Sequence, residues 1–222
     1  MAVTVKSLTG IKQTAASLSE DLAARIREDI LSGKLIDGSK LTEQTICDKY
    51  KVSRTPVREA LSKLEVEGLI ENIPNRGAFI RGLSAQDIAD IMTMRKIYEI
   101  QAVRWAVERI TDEEMDELEE NFEFMEFYTL KNDIEKMLNI NRSFHRMIYR
   151  ASHNRMLAQL LSSYQNYIRH DASSLSRADD YLQTVLSEHR RIFLAIRERD
   201  ADAAVDAMAA HMDNSIRRHL EE

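Results

Sequence analysis

Three of the six histidines lie where a helical pattern predicts the interior of a bundle. Asn141 and His145 interrupt one apolar stripe and are one helical turn apart. His189 lies in the middle of a second stripe, and His211 is on the inward face of a third helix. Because residues at i and i+4 can chelate one ion and a bundle brings helices together, these side chains could form a metal site. Core histidines satisfied by hydrogen bonds are the alternative.

An arginine also falls on an inward stripe of this half of the chain. Arg95 lies between the apolar residues Met92 and Ala102, with Glu99 one turn further along. A buried Arg–Glu pair with a structural role is one interpretation. The other is a guanidinium that binds the carboxylate of a small ligand. The pattern leaves both open.

The elements that must position these residues are helices. All six glycines and both prolines lie within the first 82 residues, and the remaining 140 contain neither. Such a stretch is typical of helices joined by short polar connections. Helix-start signals at Ser84 with Asp87 and at Thr111 with Glu114, and polar breaks such as that at 173–177, predict six helices there. They therefore predict an all-α helical bundle over residues 83–222.

The first half shows a different order of elements. An apolar stripe from Leu22 to Ile30 predicts one helix, and Thr42 begins a short second one. A longer helix is expected from Arg54 to Glu67, followed by short strands at 69–73 and 78–80. This order predicts a winged helix–turn–helix with a small β-hairpin wing. We assign it to residues 17–82 and treat 1–16 as an N-terminal tail.

The second helix of such a motif enters the major groove of DNA, where arginine and threonine can donate hydrogen bonds to base edges and phosphates. Arg54, Thr55 and Arg58 occupy its beginning. Between Lys49 and Lys63 there are five basic residues and one acidic residue, although the whole chain carries a net charge of −6. This local positive charge favours DNA binding. Solvated helix charges are the alternative.

Composition excludes several other classes of protein. No apolar run is long enough to span a bilayer, and the N-terminus lacks the pattern of a secretory signal. The single cysteine, Cys47, cannot form an internal disulfide. We therefore expect a cytoplasmic protein with no membrane partner.

The segments VSRTPVREALSKLEVEGLI and PNRGAFI resemble the DNA-binding signature of the GntR family of transcriptional regulators. The resemblance extends from about Ser17 to Leu83. It implies that the arginines and threonine of the recognition helix contact DNA, that the wing tip enters the minor groove and that one residue of the preceding helix touches the operator. By this resemblance the DNA-binding residues are Gln44, Arg54, Thr55, Arg58, Arg76 and Gly77.

The second half resembles the FCD ligand-binding domain of the FadR branch of that family. The segments that carry the resemblance are MRKIYEIQAVRWA, NRSFHRMIYRASHN, SEHRRIFLAI and AMAAHM. Members with this pattern bind a divalent metal through one aspartate and three histidines, which implies the ligands Asn141, His145, His189 and His211. Asn141 stands where the family usually has aspartate, and its amide oxygen brings no negative charge. Zinc is the first candidate, with nickel and manganese as alternatives, and Arg95 matches an arginine that relatives use for a ligand carboxylate.

These observations predict a DNA-binding transcriptional regulator that is not an enzyme. We expect a metabolite-responsive repressor that binds a palindromic double-stranded DNA operator as a homodimer and senses a small organic acid at its metal site. A metal-dependent hydrolase on the helical domain is the rival. No HExxH motif is present, and Glu188 should point about 100° away from His189, so no general base is evident. A purely structural metal is a third interpretation.

Overall fold

The structure, a computed structural model, describes residues 15–74, 76–167 and 181–220. Helices dominate these ranges, which confirms the mainly α fold class. The chain forms two compact units that divide between Leu83 and Ser84. Of the tail predicted from the sequence, residues 1–14 lie outside the described part, whereas Ala15 and Ala16 belong to the first helix. None of the described helices is both long and apolar enough to cross a membrane.

The first unit is a winged helix–turn–helix. Its elements in chain order are α1 (Ala15–Leu31), β1 (Lys40–Leu41), α2 (Glu43–Tyr50), α3 (Arg54–Val66), β2 (Ile70–Ile73) and β3 (Gly77–Ile80). The strands form an antiparallel sheet in the order β1-β3-β2. The sequence predicted the β2–β3 hairpin but not β1, because a strand of two residues is too short to show an alternating pattern.

Local chemistry fixes the start and end of the two helices of the motif. The Thr42 hydroxyl caps α2 by accepting from the amide of Thr45, and Lys51 ends that helix in the left-handed region, at φ 58°. Ser53 precedes α3 without making a side-chain capping bond. Pro56 occupies the first turn of α3, where its missing N–H has no helical partner to lose. Only residues 51–53 connect α2 to α3.

The second unit contains six helices within the described residues. They are α4 (Ala85–Arg109), α5 (Asp112–Leu130), α6 (Ile134–Ala151), α7 (Arg155–Tyr167), α8 (Tyr181–Arg197) and α9 (Ala201–Leu220). Helix α9 packs against both α4 and α8, and α6 packs against α4 and α5. The predicted break at 173–177 lies outside the described residues. The helices α4, α6, α8 and α9, which carry Arg95, His145, His189 and His211, thus belong to one bundle.

Capping boxes and left-handed residues define the connections of this unit. Ser84 with Asp87 begins α4, and Thr111 with Glu114 begins α5, as the sequence predicted. Three of the described connections turn through a residue with positive φ, and none of these residues is glycine. They are Asn132 at 53°, His153 at 50° and Arg199 at 58°. These turns are tight although glycine, the residue that tolerates positive φ best, is absent from them.

Candidate functional site

Three helices bring a cluster of histidines together inside the second unit. His145 of α6, His189 of α8 and His211 of α9 are 2%, 0% and 5% exposed. Ligand nitrogens of the three rings lie within 4.8 Å of one another. The Nε2 atoms of His145 and His189 are 3.3 Å apart. We call these three residues the histidine cluster.

Each ring of the histidine cluster makes a hydrogen bond through Nδ1. Since a carbonyl or an ionised carboxylate can only accept, Nδ1 is the donor in each bond and Nε2 carries the lone pair. The acceptors are Glu99 Oε2 for His145 at 3.0 Å, Val185 O for His189 at 2.7 Å and Glu188 Oε2 for His211 at 2.8 Å. The three Nε2 atoms are therefore free to bind a common ligand.

Burial favours the neutral form of His189 and of His211. It lowers the pKa of His189 well below its usual value, and the neighbouring rings of His211 and His145 add to this effect. Burial also lowers the pKa of His211 to about 4, although the hydrogen bond to Glu188 raises it. A neutral imidazole is the form that binds a metal ion.

Asn141 provides an independent indication of a ligand. It lies on α6 one turn before His145, and its Oδ1 is buried without a hydrogen-bond partner among the described residues. A buried carbonyl oxygen that lacks a partner destabilises the fold unless something unseen satisfies it. Together with the three imidazoles, this amide oxygen would make a donor set that suits zinc, nickel or manganese. The residues present thus fit a divalent metal.

Arg95 and Glu99 form the buried pair that one interpretation of the sequence expected. Arg95 Nε donates to Glu99 Oε1 at 2.8 Å, and the two residues are 7% and 0% exposed. Glu99 also accepts from His145 Nδ1 and from the hydroxyl of Tyr149. Burial by itself raises the pKa of Glu99, but His145 and Arg95 outweigh it and hold the pKa at about 2. Arg95 is thus joined to the histidine cluster through Glu99.

Sequence reasoning considered Glu188 only as a general base beside His189 and missed its contact with His211. Glu188 Oε2 accepts from His211, and Arg218 donates to both of its oxygens at 2.9 Å. Burial raises the pKa of Glu188, but hydrogen bonds from His211 and Arg218 outweigh it and lower the pKa to about 2. The available signal was the spacing of His211 and Arg218, which lie seven residues apart on one face of α9.

In the first unit, the start of α3 faces α2 through exposed polar side chains. Arg54 Nη2 donates to Gln44 Oε1 at 3.3 Å, and Arg58 Nε donates to Glu43 Oε1 at 2.6 Å. Thr55 is exposed beside them. Gln44, Arg54, Thr55 and Arg58 therefore occupy one polar surface, which we call the recognition surface.

The wing contributes the other two residues that the sequence singled out. Arg76 is exposed, and its guanidinium lies 5.6 Å from the ring centre of Phe79. Gly77 has φ 96°, and a Cβ there would lie 3.2 Å from Lys40 Cε, so the position favours glycine. Gly77 and Arg58 line the same groove of about 500 Å³, which joins the wing to the recognition surface.

Comparison with known proteins identifies both units. Residues 18–80 match the gntR family of bacterial regulatory proteins, and residues 90–214 match the FCD domain. The chain belongs to the GntR family. This GntR-family chain carries its DNA-binding module first and its FCD domain second. The family consists of transcriptional regulators rather than enzymes, as the sequence predicted.

Individual relatives agree with this identification. An uncharacterized HTH-type transcriptional regulator of Bacillus subtilis, YdhC, is 31% identical and matches over 86% of this chain and 85% of its own length. The galactonate operon transcriptional repressor of Escherichia coli is 26% identical, covering 90% of this chain and 96% of that protein. The solved structure of Escherichia coli McbR/YncC superposes with a TM-score of 0.74 at 23% identity, covering 92% and 98% of the two chains. That structure has the same fold as this GntR-family regulator.

Proposed function

We propose that this regulator is a repressor that senses a small carboxylate at a metal centre in its FCD domain. The observation that carries the proposal is the convergence of the histidine cluster, in which every Nδ1 is held by an oxygen and every Nε2 is left for a ligand. A structural core would satisfy these nitrogens with protein partners instead.

The residues that would hold the metal are Asn141 and the histidine cluster. Three metal-binding imidazoles and an amide would bring no negative charge to the ion, since a histidine binds metal in its neutral form. The two nearby carboxylates each pair with an arginine, Glu99 with Arg95 and Glu188 with Arg218. A divalent ion bound there would keep its full positive charge. Such a centre would act as a Lewis acid toward an anionic oxygen. Zinc is the first candidate, with nickel and manganese as alternatives.

The effector that fits this charge is a small hydroxy acid, sugar acid or dicarboxylate. Its carboxylate would bind the metal, and Arg95 is the guanidinium available to recognise it. Galactonate is a sugar acid, and one relative is named for the galactonate operon. The effector would change operator affinity through unequal affinity for two states of the protein.

On the DNA side, we propose that the recognition surface reads the major groove and that Arg76 and Gly77 contact the minor groove. A two-fold homodimer would match a palindromic operator whose half-sites lie about one helical turn apart. The place of action would be the cytoplasm, where a bacterial regulator meets the chromosome.

The positions of the carboxylates give no support to the hydrolase alternative. A general base must be free to take a proton. Glu99 accepts from three side chains, and Glu188 is held by His211, Asn214 and Arg218. Among the described residues near the histidine cluster, neither carboxylate is available for that task.

Elemental analysis of the purified protein tests the metal centre. We expect close to one divalent ion per chain, and we expect His189→Ala to lose it together with the rise in Tm that metal produces by mass action. His153→Asn is the matched control, because His153 is exposed outside the cluster and asparagine tolerates its positive φ. Absence of metal after incubation with zinc, nickel and manganese would overturn the proposal.

Thermal-shift screening of organic acids then tests the effector. We expect a carboxylate that stabilises only the metal-loaded protein and that changes operator affinity, since the linkage must be reciprocal. A screen in which only uncharged ligands stabilise the protein would contradict a carboxylate site.

A further inference from the structure

An acidic residue lies at the edge of the recognition surface and contacts one of its arginines. Glu43 is the first residue of α2, and its Oε1 accepts from Arg58 Nε at 2.6 Å. The side chains of Glu43 and Arg58 are 35% and 67% exposed. An ion pair that is this exposed contributes little to stability.

The bond uses only one corner of the guanidinium. Arg58 Nε is engaged, whereas its two Nη groups make no hydrogen bond to the residues that the structure describes. An arginine that reads guanine donates two parallel N–H bonds to O6 and N7. Glu43 therefore restrains the orientation of the guanidinium and leaves the Nη pair for a base.

The same carboxylate carries a cost for DNA binding. A negative charge beside a DNA-binding arginine repels phosphates and weakens binding to every sequence. The charge of Glu43 also acts on Arg54, but the hydrogen bond of Arg54 is made to the neutral amide of Gln44, at the longer distance of 3.3 Å. A charge that weakens binding to all sequences but orders a base-reading side chain raises the difference between specific and non-specific affinity.

We propose that Glu43 is a specificity-determining positioning residue, which orients Arg58 toward one base pair of each half-site and suppresses binding to other DNA. This inference rests on the proposed contact between Arg58 and a base. Glu43 lies at the edge of the recognition surface and acts through Arg58 rather than on DNA itself.

Selection from a randomised double-stranded DNA library, followed by sequencing, tests the inference and does not require the operator sequence. The wild-type profile gives the base preference at each position, and Arg58→Ala should remove the preference at one position of each half-site. Glu43→Asp keeps the charge but shortens the side chain, so the preference at that same position should fall about 3- to 10-fold. Non-specific affinity should stay unchanged in this variant.

Further variants separate the charge of Glu43 from its position, and Glu43→Ala removes both. Glu43→Gln keeps the length and loses the charge, so its affinity for a non-specific duplex should rise. Glu59→Gln removes an equal charge from the exposed face of α3 and should raise non-specific affinity without altering the profile. In the double variant Glu43→Asp/Arg58→Ala, the preference at the shared position should fall no further than in Arg58→Ala.

Three results would overturn the inference. The first is an unchanged preference at the Arg58 position in both Glu43→Asp and Glu43→Ala. The second is a loss at a position that Arg58→Ala does not affect, because Glu43 would then read a base itself. The third is an Arg58→Ala profile identical to wild type, which identifies failure of the underlying Arg58 contact.

Discussion

His211 Nδ1 donates a hydrogen bond to Glu188 Oε2 across the contact between α8 and α9, over a distance of 2.8 Å. Glu188 adjoins His189 in the chain, yet it serves the histidine of the next helix, because adjacent residues of a helix point about 100° apart. Arg218 holds the other side of the carboxylate. The orientation of His211 thus depends on two residues that would not bind the metal.

We expect Glu188→Gln to weaken metal binding about 10- to 100-fold, which is typical of lost partners behind a ligating histidine. The glutamine amide can still accept a hydrogen bond from His211, but it has no negative charge to neutralise Arg218. Competition with a chromophoric chelator measures the affinity. Glu198→Gln is the matched control, because Glu198 is exposed beyond the end of α8. Equal affinities in wild type and Glu188→Gln would show that His211 needs no carboxylate behind it.

Asn141→Asp should bind the metal more tightly than the wild type, because it adds a negative charge to a donor set that has none. Asn141→Ala should bind it more weakly, since the orphaned oxygen is then removed. Titration of each metal-free protein with zinc compares the three affinities. Weaker binding by the Asp variant would mean that Asn141 is not a ligand.

Arg95→Lys should abolish stabilisation by the organic-acid effector while metal content is retained. Lysine keeps a positive charge next to Glu99 but cannot donate two parallel bonds to a carboxylate. Arg95→Ala is the poorer test, because it leaves the buried carboxylate of Glu99 without its arginine, and removing one partner of a buried ion pair costs about 3 to 5 kcal/mol. Thermal shift with and without the acid gives the result. Normal binding by the Lys variant would leave the Arg95–Glu99 pair with a structural role alone.

The metal-free protein should lose stability as the pH falls from about 6.5 toward about 4. The folded-state pKa of His211 is lowered to about 4 from a usual 6.5, and that of His189 is lowered as well. The unfolded chain therefore binds more protons in this window, and each proton difference lowers the free energy of unfolding by up to about 1.4 kcal/mol per pH unit.

Urea denaturation of EDTA-treated protein at several pH values in that window measures this dependence. His211→Gln does not titrate, so its stability should fall less steeply with acid. A free energy of unfolding that is the same at both ends of the window would contradict the buried neutral state of these histidines.

The sequence predicted which histidines face inward because the helical period of 3.6 residues determines it locally. The Arg95–Glu99 pair could be predicted for the same reason, since its members are one turn apart on α4. The Glu188–His211 contact and the Glu43–Arg58 contact were not, because each joins two helices. Their existence depends on the rotation and register of one helix against another, which no local period encodes. The strand β1 was missed because two residues carry no pattern.

The non-glycine turns at Asn132, His153 and Arg199 bear on how the FCD domain can respond to a ligand. Side chains with a Cβ have few alternative backbone conformations at positive φ, so these joints resist reorientation. A displacement of α6 or α9 at the histidine cluster would then be poorly absorbed at the ends of the helix and would tilt the helix as a whole. Because they lack glycine, the described turns of the bundle should transmit a movement from helix to helix rather than absorb it as hinges.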